Sequence, residues 1–226
     1  MGCKVISIEG IWGVGKSTLS KRLARQLLRE GYKVSFAHYG IREGIGKILE
    51  QELDFVNPVR IKTGMGGFDK DYHAFIEILL RCAREVYDQQ NFFLPALEKN
   101  DILILDRGID TITAYALATL LSTFPDKSMD EYYQWIKDTF SFWTDVVPEL
   151  TIFLSLNWKI AVQRAEARDK IDYSLERKLF LPKYVQAFEY ISENEKRIVT
   201  LDINQQSKDW VFEKSLDIVT NYLTKR

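Results

Sequence analysis

The sequence feature that most constrains this chain is a glycine-rich turn between an apolar run and an amphipathic segment. The turn reads GIWGVGKS and is followed by a threonine, and the apolar run VISI lies just before it. Glycines let successive backbone N–H groups face an anion, and the next helix adds the positive end of its dipole. The pattern G-x4-G-K-S therefore predicts a phosphate-binding loop for a nucleoside triphosphate. The residues expected to hold the triphosphate are Gly10, Gly13, Gly15, Lys16, Ser17 and Thr18.

Two side chains of this loop and one acid further along predict a triphosphate–magnesium site. Lys16 is placed to reach the β- and γ-phosphates, and the Ser17 hydroxyl is placed to ligate Mg²⁺. The apolar run LIL ends in Asp106. The carboxyl end of a strand is where ligands lie in a parallel sheet, so we expect Asp106 to face Mg²⁺, directly or through water. Arg107 follows at once and suits an anionic acceptor; a plain Asp–Arg ion pair is the alternative.

Five short β-rich runs alternate with amphipathic stretches along the chain. They are residues 4–9, 33–37, 102–106, 151–156 and 198–201. The alternation predicts an α/β fold with a five-stranded parallel sheet and helices on both faces. The length of 226 residues fits one domain, residues 1–226, with a full hydrophobic core.

Apolar residues at helical spacing predict the segments between the strands. A helix is expected over residues 16–29, with Gly31 at its C-terminal end, and others over 72–97 and 129–147. The last carries an aromatic stripe from Tyr132 to Trp143, which is typical of core or of a subunit contact. Residues 54–71 lack periodicity and contain the cluster GMGG, so we expect a mobile loop near the site.

Charge and cysteine content limit the partners. The chain has 31 Lys and Arg against 32 Asp and Glu, so no overall field attracts nucleic acid or an anionic membrane. Cys3 and Cys82 lack the spacing of a metal site, and no apolar run approaches membrane-spanning length. We therefore expect a reduced, cytoplasmic protein without a nucleic-acid or membrane partner.

From the phosphate loop onward, the order and spacing of the motifs resemble those of the thymidylate kinases, P-loop nucleoside monophosphate kinases. The strand ISIEG resembles the start of the family's loop, and the family's next acceptor-phosphate arginine looks like Arg42, which begins the run REGIGKIL. The run ILLRCAR, ending in Arg84, resembles the family's acceptor-binding helix, and LPAL follows it. The run DRGIDTITAY, which includes Thr111 and Tyr115, is similar to the family's Asp-Arg motif, and VQRAEAR looks like the start of its lid.

The resemblance implies a P-loop NTPase fold and transfer of the ATP γ-phosphoryl group to dTMP or a related monophosphate. It implies ATP and Mg²⁺ as cofactors, with Ser17 and Asp106 at the metal. It also implies a lid near residues 164–176 and, since such enzymes are commonly homodimers packed through helices, a possible homodimer. The implied catalytic residues are Lys16, Asp106, Arg107, Arg164 and Arg168. The implied acceptor-binding residues are Arg42, Arg84, Arg107, Thr111 and Tyr115.

Electrostatics independently favours such a cluster of cations. Two phosphate charges at 4 Å repel by roughly 4 kcal/mol per unit pair at an effective dielectric near 20, so several cations must converge. Guanidinium groups suit phosphate oxygens geometrically. The second pKa of a phosphate acceptor is about 6, so such an acceptor needs no general base. For Arg164 and Arg168, a solvated helix face is the alternative.

Several substrate-reading positions depart from the family pattern. Trp12 and Gly13 stand where the family has an acid, or an acid and an arginine, inside the loop. Leu80 replaces a base-stacking Phe, and Gly108 replaces a Tyr. These changes leave two other functions open. One is a kinase of a nucleoside or another small hydroxyl compound, with Glu43 as its base, and the other is a catalytically silent nucleotide-binding module.

Overall fold

The computed structural model describes residues 2–40, 43–56, 72–141 and 145–224. Its strands are β1 (Lys4–Glu9), β2 (Val34–His38), β3 (Ile102–Asp106), β4 (Leu150–Ser155) and β5 (Ile198–Asp202). Its helices are α1 (Lys16–Arg29), α2 (Gly44–Val56), α3 (Tyr72–Asp88), α4 (Leu94–Leu97), α5 (Ile109–Thr123), α6 (Met129–Ser141), α7 (Trp158–Asp169), α8 (Leu175–Asn194) and α9 (Lys208–Thr224). A single π-helical turn, Gln89–Phe93, joins α3 to α4.

The five strands form one parallel sheet in the order β2-β3-β1-β4-β5, as the sequence predicts. The chain leaves the central strand β1 for the edge strand β2, returns to β3, and then crosses to the other side of β1. Ligands bind beyond the carboxyl ends of the strands where a doubly wound sheet changes direction. The glycine-rich turn after β1 and Asp106 at the end of β3 therefore lie at the same edge of the sheet.

The three central strands β1, β3 and β4 are buried on both faces, because alternate residues point to opposite sides and helices cover each side. Ile6, Ile8 and Ile104 belong to the larger core, whereas Leu103 and Leu105 pack in a second cluster with Phe93 from the π-helical turn and with α4. Helices α1 and α9 pack together, and α5 packs against α3, α6 and α8. Within the described part of the chain, no helix has both the length and the apolar character needed to cross a membrane.

The elements differ from the sequence prediction in small ways. The strands expected at 33–37 and 151–156 are shifted by one residue, and the single helix expected over 72–97 is interrupted by the π-helical turn. The helix expected over 129–147 ends at Ser141; its aromatic residues Tyr132, Tyr133 and Phe140 are core, whereas Trp135 is exposed. The predicted mobile loop falls mostly on residues 57–71, which lie outside the described residues.

A buried ion pair ties α5 to the sheet and to the start of β5. The Asp110 carboxylate accepts hydrogen bonds from Arg197 Nη1 and Nη2 at 2.8 and 2.6 Å and from the Thr151 hydroxyl at 2.8 Å. Asp110 is only 2% exposed. A carboxylate at such a site is stable only while its donors satisfy it.

A second buried acid, Glu85, lies on α3. Its carboxyl group accepts one hydrogen bond from Gln89 Nε2 at 2.9 Å, and its other oxygen has no partner among the described residues. Burial, with the nearby Asp88 adding to it, raises the pKa of Glu85 to about 8. Glu85 is therefore mainly protonated in the folded protein at neutral pH.

We expect Asp110→Ala to lower the free energy of unfolding by about 3 kcal/mol, because it leaves the partly buried Arg197 without its carboxylate. The measurement is urea unfolding followed by circular dichroism. Asp138→Ala is the matched control, since Asp138 is exposed and accepts only a surface hydrogen bond from Gln134. Equal losses in the two variants would contradict the structural role of the pair.

We expect Glu85 to make the protein less stable as the pH rises. Between pH 4.5 and about 8 the folded state keeps the Glu85 proton and the unfolded state loses it, so the free energy of unfolding falls across this window. Glu85→Gln removes that part of the slope and stabilises the protein at pH 8 by on the order of 3 kcal/mol. Urea unfolding at a series of pH values measures it, with the exposed Glu98→Gln as control. An unchanged slope in Glu85→Gln would show that Glu85 does not titrate this way.

Candidate active site

The glycine-rich turn has the backbone geometry that its sequence requires. Gly10, Gly13 and Gly15 have φ angles of +138°, +81° and +100°, in the region that favours glycine. Gly13 also lies directly against α7, because a Cβ at this position would come within 2.0 Å of the Ala161 carbonyl oxygen. The turn is thus fixed from behind by α7, and it leads straight into the first turn of α1.

Lys16 is the buried cation of the loop. Its side chain is 4% exposed, and its Nζ donates a hydrogen bond to the Ile11 carbonyl oxygen at 2.7 Å. Burial lowers the pKa of Lys16, and the Arg107 and Arg168 guanidinium groups lower it further. Three predicted cations therefore converge at the loop. Ser17 and Thr18 are exposed on the first turn of α1, the end of a helix that favours a phosphate. The Thr18 N–H donates to the Gly15 carbonyl oxygen at 3.1 Å.

Asp106 ends β3 beside this loop. Ile8 of β1 and His38 of β2 are its neighbours in the sheet register, and the carboxylate is fully buried. Neither carboxylate oxygen accepts a hydrogen bond from any described residue, although His38 Nε2 lies 3.4 Å from Oδ2. A buried carboxylate without donors is costly unless a cation meets it. The Asp106 side chain therefore suits a magnesium ion, as the sequence predicts.

No group of three His, Cys, Asp or Glu side chains that could hold a metal occurs among the residues the structure describes. This fits magnesium, which commonly takes one or two protein ligands and completes its shell with phosphate oxygens and water. The Asp106 carboxylate and the Ser17 hydroxyl are the two protein ligands that the sequence predicts.

The turn after β3 is held by a buried glutamate that the sequence analysis gave no role. Arg107 has a φ of +75°, and its N–H donates to the Ile8 carbonyl at 3.2 Å. The Glu9 carboxylate accepts hydrogen bonds from Gly108 N at 2.7 Å, from the Ser7 hydroxyl at 2.6 Å and from the Thr111 hydroxyl. Burial raises the pKa of Glu9 to about 7, with Asp110 adding to the effect. Glu9 thus fixes the backbone that carries Arg107.

Thr111 is accordingly part of this network. Its hydroxyl is buried and directed to Glu9, and its carbonyl accepts from the Tyr184 hydroxyl at 3.4 Å. Its expected role in acceptor binding remains a prediction. Gly108, the position that departs from the family pattern, precedes α5 and places its N–H on Glu9.

Arg84, which was predicted to bind the acceptor, extends from α3 to the residues that follow β2. It is 2% exposed, pairs with Glu50 of α2, and places its guanidinium carbon 4.9 Å from the centre of the Tyr39 ring. A Cβ at Gly40 would lie 2.0 Å from Arg84 Nη2, so the guanidinium occupies the space that a side chain at Gly40 would need. Arg42, the other predicted acceptor arginine, lies outside the described residues.

Arg81, one turn before Arg84, is a second buried arginine that the sequence analysis did not single out. Its Nε and Nη2 donate to Glu77 Oε1 at 3.1 and 2.7 Å. Its guanidinium carbon lies 3.7 Å from the centre of the Tyr115 ring. The predicted acceptor residue Tyr115 is thus buried under an arginine. Leu80, beside it, is half-buried and supplies no aromatic ring.

The two arginines of α7 are less enclosed. Arg164 is exposed, and Arg168 donates to Asp169 at 2.6 and 3.0 Å with its side chain 63% exposed. Asp169 also accepts from the Tyr173 hydroxyl at 2.6 Å. Arg168 is nevertheless close enough to Lys16 to affect its protonation, so the structure brings α7 to the phosphate loop.

The spacing of charged residues in α3 could have identified Arg81 from the sequence. Four charged residues, Glu77, Arg81, Arg84 and Asp88, recur at i, i+4, i+7 and i+11, and all four are buried. A helix normally buries apolar residues at this spacing, so a charged stripe marks a polar cavity. His38 and Glu9 gave no comparable signal, because their contacts join distant parts of the sequence: His38 approaches Asp106, and Glu9 binds Gly108 and Thr111.

Comparison with known proteins agrees with this geometry. The thymidylate kinase family model matches residues 8–214. A thymidylate kinase of Mycoplasma capricolum is 28% identical over 222 residues, covering 96% of this chain and 95% of its own. One of Acinetobacter baumannii strain SDF is 30% identical over 213 residues, covering 93% and 97%.

The fold agrees as well. The structure of thymidylate kinase from Candida albicans superposes with a TM-score of 0.71 at 21% identity, covering 98% of this chain and 92% of that one. The fold is therefore that of the P-loop NTPases. Together with the phosphate loop, Asp106 and the family match over most of the sequence, this shows that the chain belongs to the thymidylate kinase family of phosphotransferases.

Proposed function

We propose that this protein transfers the γ-phosphoryl group of ATP to a nucleoside monophosphate, with dTMP as the acceptor, giving ADP and the nucleoside diphosphate. The observation that carries the proposal is that Lys16 and the donor-free Asp106 lie at the same edge of the sheet, with Arg107 next to Asp106 in the chain. The family match supports dTMP, because the relatives described above are thymidylate kinases.

The chain's own residues then act by binding and positioning. The N–H groups from Gly13 to Ser17 and the Thr18 hydroxyl hold the triphosphate, and Lys16 leaves the Ile11 carbonyl to meet a β- or γ-phosphate oxygen. Arg107 and Arg84, with Arg42, hold the acceptor phosphate and reduce the repulsion between the two anions. The acceptor oxygen is already ionised at neutral pH, so attack needs no proton acceptor from the protein.

Ser17 and Asp106 are the residues that would hold Mg²⁺. A bound magnesium ion neutralises charge on the phosphate oxygens as the phosphoryl group moves. The role of Asp106 is to keep a carboxylate at a buried position, where His38 Nε2 lies 3.4 Å from its Oδ2 atom. Thr111 and Tyr115 complete the acceptor side in this proposal.

We further propose that residues 1–226 act as one kinase domain in the cytoplasm, with a lid at about 164–176. The segment comprises the end of α7, a turn with Lys170 at a φ of +55°, and the beginning of α8. It carries Arg164 and Arg168 toward the transferred group. Both cysteines of the chain are free thiols in the described residues, which fits a reducing compartment.

A homodimer is the proposed assembly. Exposed apolar side chains lie on the neighbouring helices α2 and α3: Ile45, Ile48, Phe75, Ile76 and Leu79 are 38 to 61% exposed. An apolar surface of this kind is typical of a protein contact. The aromatic stripe of α6, considered from the sequence as a subunit contact, contributes Trp135, which packs edge-on against Phe75.

The test of function is ADP release from ATP and Mg²⁺ across a panel of nucleosides and nucleoside monophosphates. We expect turnover with dTMP, and Lys16→Ala to reduce it by about 100-fold or more, since it removes the buried phosphate cation. Asp106→Asn keeps the shape of the side chain but removes its charge, and we expect a loss of similar size that added Mg²⁺ partly restores.

Other outcomes of the same panel identify the alternatives. Turnover of nucleosides alone would replace the proposal with a kinase of hydroxyl acceptors, in which Glu43, exposed just before α2, becomes the candidate base. ATP binding without turnover of any acceptor would indicate a silent binding module. Glu52→Gln, an exposed change on α2, is the control for nonspecific effects.

For the assembly, we expect sedimentation equilibrium to give the mass of a dimer. The double variant Ile48→Glu, Leu79→Glu places two charges on the exposed apolar surface, and we expect it to be a monomer. Lys21→Glu changes the charge at an exposed position of α1. It is the control, and the variant should remain a dimer. A monomeric wild-type protein would show the proposed contact to be wrong.

A further inference from the structure

Trp12, a large aromatic residue inside the phosphate loop, contacts a helix that lies far away in the sequence. Its half-buried ring lies 4.6 Å from the guanidinium carbon of Arg177 on α8 and 5.7 Å from the ring centre of Tyr184 on the same helix. A guanidinium over an indole face is an attractive arrangement, and Trp is the best aromatic partner for it. The loop is therefore linked to α8 by a side chain as well as to α7 by its backbone.

The opposite side of this contact is fixed by Tyr173. The Arg177 guanidinium carbon lies 3.5 Å from the centre of the Tyr173 ring, so the arginine contacts two aromatic rings. Tyr173 is itself held in place, because its hydroxyl donates to Asp169 and its N–H donates to Glu166 Oε1 at 2.8 Å. The contacts run from the phosphate loop through Arg177 and Tyr173 to the end of α7.

The loop itself offers no charged side chain between Gly10 and Lys16, since it reads IWGVG there. Further cations at this side of the loop come from other parts of the chain, such as Arg168 of α7 and Arg177 of α8. Arg177 is held beside the loop by the Trp12 side chain. Gly13 packs so closely on Ala161 that the loop and α7 approach without intervening side-chain atoms at that point.

We propose that Trp12 is a positioning residue: its indole holds Arg177 at the edge of the phosphate loop, and thereby sets the position of the 164–176 segment over bound ATP. Trp12 acts through Arg177 and needs no contact with phosphate itself. The kinetic part of this inference rests on the proposed function, whereas the structural part does not. Loss of the indole releases Arg177 and the turn that Tyr173 anchors, while the acceptor side at Arg84 keeps its own contacts.

The kinetic test is a double-mutant cycle between Trp12→Ala and Arg177→Met. We expect each change to lower kcat with ATP and dTMP about ten-fold and to leave the KM for dTMP unchanged. The double variant should lose little more than either single variant, because both remove one contact. Trp12→Phe retains an aromatic face and should recover most of the activity. Additive losses, or wild-type kinetics in Trp12→Ala, would overturn the proposal.

A structural measurement separates this inference from the proposed function. Hydrogen exchange of the amides at residues 170–177, followed by mass spectrometry without any acceptor, should be faster in Trp12→Ala and Arg177→Met than in wild type. Trp210→Ala, which changes an exposed tryptophan of α9, is the matched control. Residues 170–177 should exchange in it as they do in wild type. Should Trp12→Ala not fold, Arg177→Met and Trp12→Phe carry the same comparison. Unchanged exchange in Arg177→Met would overturn the inference even if dTMP is the substrate, and accelerated exchange would support it even if no acceptor is turned over.

Discussion

The rest of the structure depends on one electrostatic requirement, which is that concentrated negative charge must be held at a single edge of the sheet. Parallel pairing of β1 with β3 meets it, because it places the end of each strand beside the other, with Ile8 in register with Asp106. The loop after β1 brings N–H groups and Lys16, and the turn after β3 brings a carboxylate and then Arg107. Anions and the metal that accompanies them can thus meet opposite charges without any long side chain crossing solvent.

Behind this edge, buried acids hold the backbone in place. Glu9 gathers three donors from β1 and from the start of α5, and Asp110 joins α5 to Arg197 before β5. Both acids lie near each other, and the pKa of Glu9 rises to about 7 as a result of burial and of the neighbouring Asp110. A polar interior of this kind is stable only when its partners are complete, so it ties the position of Arg107 to the integrity of the core.

The elements that were predictable from the sequence are those with local patterns. The five strands need only short apolar runs, and their ends were predicted to within one residue. The pattern of the phosphate loop is equally local, because its glycines and Lys16 lie within a few residues. Tertiary contacts were not predictable. His38 meets Asp106 only because β2 pairs with β3, and Arg177 meets Trp12 only because α8 folds back over the loop. The π-helical turn Gln89–Phe93 also escaped detection, since its apolar spacing continues that of the helix before it.

The close approach of Arg84 to Gly40 limits which substitutions these two positions can accept during evolution. The guanidinium fills the volume above a glycine whose φ is +88°, so position 40 cannot gain a side chain while Arg84 keeps its present position. A descendant of this sequence that gained a side chain at position 40 would first have to shorten or redirect the residue at position 84, and with it the ion pair to Glu50. The two positions should therefore be inherited together, and the order in which they mutate would be restricted to routes that pass through a smaller residue on α3.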